Sequence, residues 1–245
     1  MEHLNLEQYD LFLFDLDDTL FDHSEAYENG LVDTIHQFHS LREIGHSEFI
    51  QTFTKHNHLL WPRFSSNELN FHEFSFLRIN NALKELNVSA EKDLSLKFVK
   101  TFQSSYLERI RPYQKLNEFL FELSKSVGLG IVTNGTVFNA FEKVDRLGLC
   151  SIFPEKSVIV SEKIGFPKPN KEIFQHALNI FGSTADKTLF IGDNYFTDIL
   201  GAKSLGLDTL WINRYEYECP QREKPDYILR HVDDLKNAIN QNGVE

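Results

Sequence analysis

The chain predicts an α/β protein built on a doubly wound parallel sheet, with a helical segment inserted after the first strand. Three observations carry that expectation. Short apolar runs of strand character recur along the chain: "LFLF" at 11–14, "GLGIVT" at 128–133, "SVIV" at 157–160, "TLFIG" at 188–192 and "DTLWIN" at 208–213. Beyond 106 they alternate with stretches of helical periodicity, and alternation of this length implies parallel strands joined by right-handed crossovers. From about Asp22 to Tyr106 there is no strong strand and little glycine, and apolar residues fall at helical spacing, as in Phe71, Phe74 and Leu77. The expected division is an α/β core over 1–20 and 107–245 with an inserted helical domain over 21–106.

Each element has its own reason. The run at 11–14 is dense enough to be a buried strand. Pro112 suits the first turn of a helix carrying Leu116, Phe119, Leu120 and Leu123 on one face. "GLGIVTNG" follows as a buried strand. A helix over Val137 to Leu147 places Val137, Phe141, Val144 and Leu147 together, with Gly148 as its stop. "SVIV" leads into the loop "SEKIGFPKPN". Asn170 can cap the next helix, whose apolar face is Ile173, Phe174, Ala177 and Ile180, and Gly182 can end it. "TLFIGDN" is a strand, "TDILGAKSLGL" a helix and "DTLWIN" a further strand. In such sheets ligands bind at the carboxyl ends of the strands.

Composition excludes several function classes. With 245 residues the chain can bury one large α/β domain or a core with an insert. Hydrophobic residues make up 41% and the mean hydropathy is -0.34, and no apolar run approaches the roughly 20 residues that span a bilayer. The N-terminal "MEHLNLEQYD" lacks the basic and apolar regions of a secretory signal, so a cytoplasmic location is expected. Cys150 and Cys219 form neither a CxxC nor a Cys/His ligand pattern and are expected as small buried hydrophobes. The formal net charge of -11 disfavours a nucleic-acid polymer as partner. Small anionic substrates remain open if a metal or local cations neutralise them.

The ends of the apolar runs carry the chemistry. "LFLFDLDDTLF" crowds Asp15, Asp17 and Asp18 together, although like charges at such range repel unless a cation or donors compensate. The second strand ends in Thr133-Asn134-Gly135 and the fourth in Gly192-Asp193-Asn194, with Lys168 in a Pro-flanked loop between them. A parallel sheet brings these ends to one crevice. Carboxylates, a hydroxyl and an ammonium there suit phosphoryl transfer, in which a carboxylate attacks phosphorus and divides one hard displacement into two. A hard divalent cation, Mg²⁺ above all, would relieve the crowding.

"DLDDTL", "IVTNG", Lys168 in "KPN" and "GDNYFTD" occur in order, the last with Asp193 and Asp198 at the spacing GDxxxxD. Together they resemble the four motifs of the haloacid dehalogenase superfamily of aspartate-nucleophile phosphatases, and the resemblance runs the length of the chain. It implies that Asp15 is the nucleophile and a metal ligand. Asp17 would be the general acid and then base, with its backbone carbonyl on the Mg²⁺. Thr133 and the amides near Asn134 and Gly135 would bind the phosphoryl oxygens, and Lys168 would offset their charge. Asp193 would be the second metal carboxylate, with Asp198 supporting Lys168 or a metal-bound water. Asp18 and Asp22 read as caps and Thr19 as a hydrogen bonder that shapes the loop.

The insert's position resembles a helical C1-type cap, which in that superfamily closes over the strand ends and selects the substrate. Its histidines, His36, His39, His46, His56, His58 and His72, lack metal-site spacing. Its aromatics, Phe38, Phe49, Phe53, Trp61, Phe64, Phe71, Phe74 and Phe76, read mainly as core, with a minority left for a substrate. "HNHLLW" and Arg78 are similar to the cap of bacterial pyrimidine 5′-nucleotidases. The implied function is a Mg²⁺-dependent phosphomonoesterase acting on a small phosphorylated metabolite, nucleoside monophosphates first. A phosphoglycolate- or sugar-phosphate-type phosphatase is the runner-up and a phosphomutase a further alternative. Asp17 disfavours a dehalogenase, whose branch lacks that carboxylate.

Overall fold

The computed structural model describes residues 4–66, 68–88, 93–220 and 223–240. From the N-terminus, strand β1 (Leu11–Phe14) is followed by helices α1 (His23–Gln37), α2 (His39–Arg42), α3 (His46–Ser65), α4 (Phe71–Glu85) and α5 (Leu94–Arg109). Next come α6 (Gln114–Leu123), β2 (Gly128–Thr133), α7 (Val137–Arg146), β3 (Val158–Val160), α8 (Ser161–Ile164) and α9 (Lys171–Phe181). The chain continues through β4 (Thr188–Gly192), α10 (Leu200–Lys203), β5 (Asp208–Ile212), β6 (Tyr227–Leu229) and α11 (Leu235–Asn240). It divides into two compact units, an α/β unit of 1–22 with 112–245 and a helical unit of 23–111. The second joint lies beyond 106 because α5 runs on to Arg109.

In the α/β unit six strands form one sheet in the order β3-β2-β1-β4-β5-β6. All pairs are parallel, so the fold is the doubly wound sheet expected from the alternation of strand and helix. The chain moves outward from β1 in one direction through β2 and β3, then returns to place β4 on its other side. That reversal makes β1 the switch point at which ligands of such sheets bind. Register fixes what meets there. Phe14 pairs with Ile131 on one side and Ile191 on the other, so the residues just past β1, β2 and β4 emerge side by side. The strands are held by a core of Leu11, Leu13, Val132, Ile173, Phe174 and Phe190, in which the rings of Phe174 and Phe190 meet edge to face at 5.1 Å.

Several local expectations change. The helix after Pro112 begins at Gln114. Asn170 occupies the N-cap of α9, but its side-chain amide donates to the Pro167 carbonyl at 2.7 Å and caps no amide of the helix. "TDILGAKSLGL" is not one helix: Tyr195–Ile199 forms a wide π-helical turn before the four residues of α10. Its cause is local, since Asn194 Oδ1 accepts from Phe196 N and Thr197 N while Asp198 Oδ2 accepts from Asn194 N at 3.0 Å. Cys150 is exposed and Cys219 half-buried, so neither is a core residue. The short β6 and α11 lie beyond "DTLWIN", the last element expected from sequence.

The helical unit packs on aromatic rings. Phe49, Phe53 and Phe98 are fully buried and mutually close, with centroids 5.5–6.0 Å apart. Helix α1 approaches α5 at Gly30, where a Cβ would come within 2.6 Å of the Tyr106 Cα, so only glycine fits. Helix α4 opens with a reciprocal capping box between Asn70 and Glu73. Arg78 ties the unit together: Nη1 donates to Asn57 Oδ1 at 2.8 Å and to the Tyr27 hydroxyl at 3.1 Å, and the guanidinium lies over Phe53, Phe74 and Phe102. The two pieces of sequence that together resemble the nucleotidase cap, "HNHLLW" and Arg78, therefore meet in space through Asn57. No described helix is long and apolar enough to cross a membrane.

Candidate active site

The acids follow the carboxyl ends of β1 and β4, and the loop before α9 holds the lysine that joins them. Lys168 Nζ donates to Asp15 Oδ1 at 2.5 Å and lies 2.8 Å from Asp198 Oδ1. Lys168 is 4% exposed, Asp15 7% and Asp198 0%. Oxygens of Asp15, Asp193 and Asp198 lie within 4.8 Å of one another. Gly192 makes room for this cluster, since a Cβ there would stand 2.4 Å from Asp198 Oδ2. Trp211 Nε1 donates to the Asp193 carbonyl at 2.7 Å and fixes the backbone at that strand end.

The charges do not balance. Asp15, Asp193 and Asp198 surround one ammonium. Burial pushes the Asp15 carboxyl up to about 7, against the pull of Lys168 and with the push of Asp198. Burial likewise raises Asp193 to about 8, reinforced by Asp15, Asp198 and Asp18. For Lys168 burial works against the charge, but Asp15 and Asp198 outweigh it and hold the ammonium above its ordinary pKa. A cluster of hard oxygen donors with excess negative charge fits a hard divalent cation, which would return both carboxyls to the ionised form.

The second strand end serves the lysine loop. Thr133 ends β2 and is 3% exposed. The Asn134 side chain reaches across to the backbone on which Lys168 stands, accepting from Lys168 N at 2.8 Å and donating to Lys168 O at 3.0 Å. This two-point hold sets where the Lys168 side chain begins. Gly135 N donates to Ser161 Oγ at 3.0 Å, and Glu162 Oε2 accepts from Val137 N at 2.8 Å, so the turn after β3 receives amides at the start of α7.

Asp17 is not part of the oxygen cluster of Asp15, Asp193 and Asp198, though its charge helps to raise the Asp15 carboxyl. Its two carboxylate oxygens both accept from Lys143 Nζ at 2.7 Å. Thr19 Oγ1 lies 3.5 Å from Asp193 Oδ1, and Asp18 takes a positive φ of 56° in the loop between them. Asp22 pairs with Arg214. Lys143 was not among the residues singled out from sequence. Its signal is positional: it sits with Ala140 and Val144 on the buried side of α7, where an unpaired charge would be costly.

The chain belongs to the haloacid dehalogenase-like hydrolase family, which matches residues 12–212. It is therefore an enzyme of the class that its four motifs resembled. Among its relatives, a glyceraldehyde 3-phosphate phosphatase of Methanocaldococcus jannaschii is 28% identical over 93% of this chain and 95% of the relative. The pyrimidine 5′-nucleotidase YjjG of Escherichia coli is 27% identical over 95% of this chain and 98% of that protein. A crystal structure of the HAD-hydrolase YfnB of Bacillus subtilis, bound to magnesium, superposes with a TM-score of 0.78 at 27% identity, covering 95% of this chain and 99% of that one.

Proposed function

We propose that this chain is a Mg²⁺-dependent phosphomonoesterase acting through an aspartyl-phosphate on Asp15, with nucleoside 5′-monophosphates as its leading substrates. The observation that carries the reading is the buried Lys168 joining Asp15 to Asp198 beside Asp193. Such a site offers one carboxylate as nucleophile and keeps a cation against it. Asp15, Asp193 and the Asp17 backbone carbonyl would hold Mg²⁺. When bound, the ion would screen the phosphoryl charge and act as a Lewis acid on a phosphoryl oxygen.

In the first step an Asp15 oxygen forms a bond to phosphorus while the bond to the ester oxygen breaks, and the Asp17 carboxyl gives its proton to that oxygen as the alcohol leaves. In the second, Asp17 takes a proton from water, whose oxygen attacks phosphorus as the bond to Asp15 breaks and phosphate departs. Lys168 offsets charge on Asp15 and the transferring group. Thr133 and the amide of Asn134 would hold the phosphoryl oxygens; the Gly135 amide, expected from sequence to join them, is instead given to Ser161 Oγ at 3.0 Å. Lys168 depends on Asp198 for one of its two carboxylate partners.

All phosphomonoesters share the phosphoryl group, so selection of the leaving group falls to the helical unit. Trp61 is 41% exposed, with its ring against Phe64 and Phe74 at 5.4 and 6.0 Å. A flat ring of this kind suits a nucleobase, whose stacking is worth about 1–3 kcal/mol in nucleic-acid binding proteins. The relative that is a glyceraldehyde 3-phosphate phosphatase favours the second reading, a sugar- or triose-phosphate phosphatase. Phosphate release from pyrimidine nucleoside monophosphates, phosphoglycolate and glyceraldehyde 3-phosphate, with Mg²⁺ and with EDTA, decides between them. Higher kcat/KM for the nucleotides, reduced by Trp61→Ala at unchanged Tm, supports the first; a faster triose phosphate overturns it in favour of the second.

A further inference from the structure

Lys143 is a buried ammonium in a place where folding gains nothing from charge. On α7 its neighbours on the buried side are Ala140 and Val144, and an apolar residue would pack there without the desolvation cost of an ion. Its side chain is 11% exposed and that of Asp17 27%, and 126 positions of sequence separate the two. Both Asp17 oxygens accept from the one Nζ at 2.7 Å. A carboxylate held at both oxygens by one partner cannot rotate without breaking a bond. Lys168 holds Asp15 and Asp198, while Lys143, standing on α7, holds Asp17, so the two carboxyls that would share the chemistry are held by different lysines.

We propose that Lys143 is a positioning residue that orients the Asp17 carboxyl for proton transfer to the leaving group. The inference rests on Asp17 being the general acid of the proposed hydrolysis. Lys143 touches neither phosphorus nor the ester oxygen; it acts through Asp17. Misplacing a catalytic group by about 1 Å can cost on the order of a hundredfold, and that loss would appear only where a proton is needed. An alkyl phosphate leaves as a poor alkoxide and needs the acid. A p-nitrophenyl phosphate leaves as a stable phenolate and does not.

The test measures kcat/KM for an alkyl phosphate and for p-nitrophenyl phosphate at saturating Mg²⁺ in the unmodified protein, Lys143→Met, Lys143→Arg, Asp17→Asn and the double variant Asp17→Asn/Lys143→Met, with Tm for each. The expected result is a loss of about 10–100-fold for Lys143→Met on the alkyl ester and little on the aryl ester. Lys143→Arg should recover most of it, since a guanidinium also grips a carboxylate at two points, and the double variant should be no slower than Asp17→Asn. Equal losses on both esters, a full further loss in the double variant, or no loss at all overturns the inference and leaves Lys143 as a staple between α7 and the loop. If Lys143→Met does not fold, Lys143→Gln takes its place in the same comparison. If Asp17→Asn itself slows both esters alike, the acid role of Asp17 falls and the Lys143 role falls with it.

Discussion

Lys168 and Arg78 are both cations with under a tenth of their surface exposed, 4% and 7%, one in each unit, and they are held by opposite means. Lys168 faces two carboxylates and is held above its ordinary pKa. Arg78 faces a tyrosine hydroxyl, an amide oxygen and three aromatic rings, meets no carboxylate among the described residues, and is pulled below its ordinary pKa by burial. Cation–π contacts and neutral dipoles give each contact less than a direct ion pair, so their number must compensate. The α/β unit thus concentrates opposed charges at one strand end, while the helical unit dilutes a single charge among rings. The first arrangement suits chemistry on a charged group; the second suits holding helices together.

The largest effect expected from this contrast concerns Asp15. Asp15→Asn should leave no measurable phosphate release while circular dichroism and Tm stay near those of the unmodified protein, because an amide is nearly isosteric but cannot form an acyl-phosphate. Activity in that folded variant would break the account on the α/β side. Removing each cation comes next. Lys168→Met leaves two buried carboxylates without their partner and should destabilise by about 3–5 kcal/mol. Arg78→Met leaves only a hydroxyl and an amide oxygen unpaired and should cost about 1–3 kcal/mol. Urea unfolding of both variants at pH 7 checks the order, and a larger loss at Arg78 would reverse the contrast.

A smaller effect lies in pH. Asp15 and Asp193 have folded pKa values of about 7 and about 8, above the usual unfolded values. Between about pH 4 and 8 the folded state therefore binds more protons than the unfolded one, so the slope of unfolding free energy against pH is negative. Metal-free protein should lose stability as pH rises through this window, and Mg²⁺ should restore it most at the upper end. A Tm that rises steadily from pH 5 to 8 in EDTA would contradict the assignment of those two carboxyls. The smallest effect is local to the helical unit: Gly30→Ala should cost about 1–3 kcal/mol by forcing α1 from α5, with activity per folded molecule retained.

The parts of the fold and site most legible in sequence were those with a short-range signal. Continuous apolar runs marked β1, β2, β4 and β5, and their alternation with helical spacing marked a parallel sheet. Asp15 and Asp193 stood out because acids at strand ends serve no packing purpose, whereas Lys168 and Asp198 stood out through their place in the order and spacing of motifs that resemble the family's. The partnerships were hidden because they depend on distant elements. Nothing near Asn134 announces that its side chain would seize the Lys168 backbone, and nothing near Asp17 announces Lys143. The π-helical turn at Tyr195–Ile199 was hidden as well, since it arises from side chains bonding back to the backbone and not from periodicity.

The central claim is that phosphoryl groups pass through Asp15 with Asp17 moving the protons. It is tested most directly by mixing Asp17→Asn with p-nitrophenyl phosphate and Mg²⁺, quenching in acid and measuring intact-protein and peptide mass. The aryl leaving group needs no acid, so the first step proceeds, while the second lacks its base. The account predicts that one phosphoryl group accumulates on the peptide containing Asp15, with p-nitrophenolate released in a burst of about one per enzyme. Release without a phosphorylated protein, or a phosphoryl group on any other residue, would contradict it.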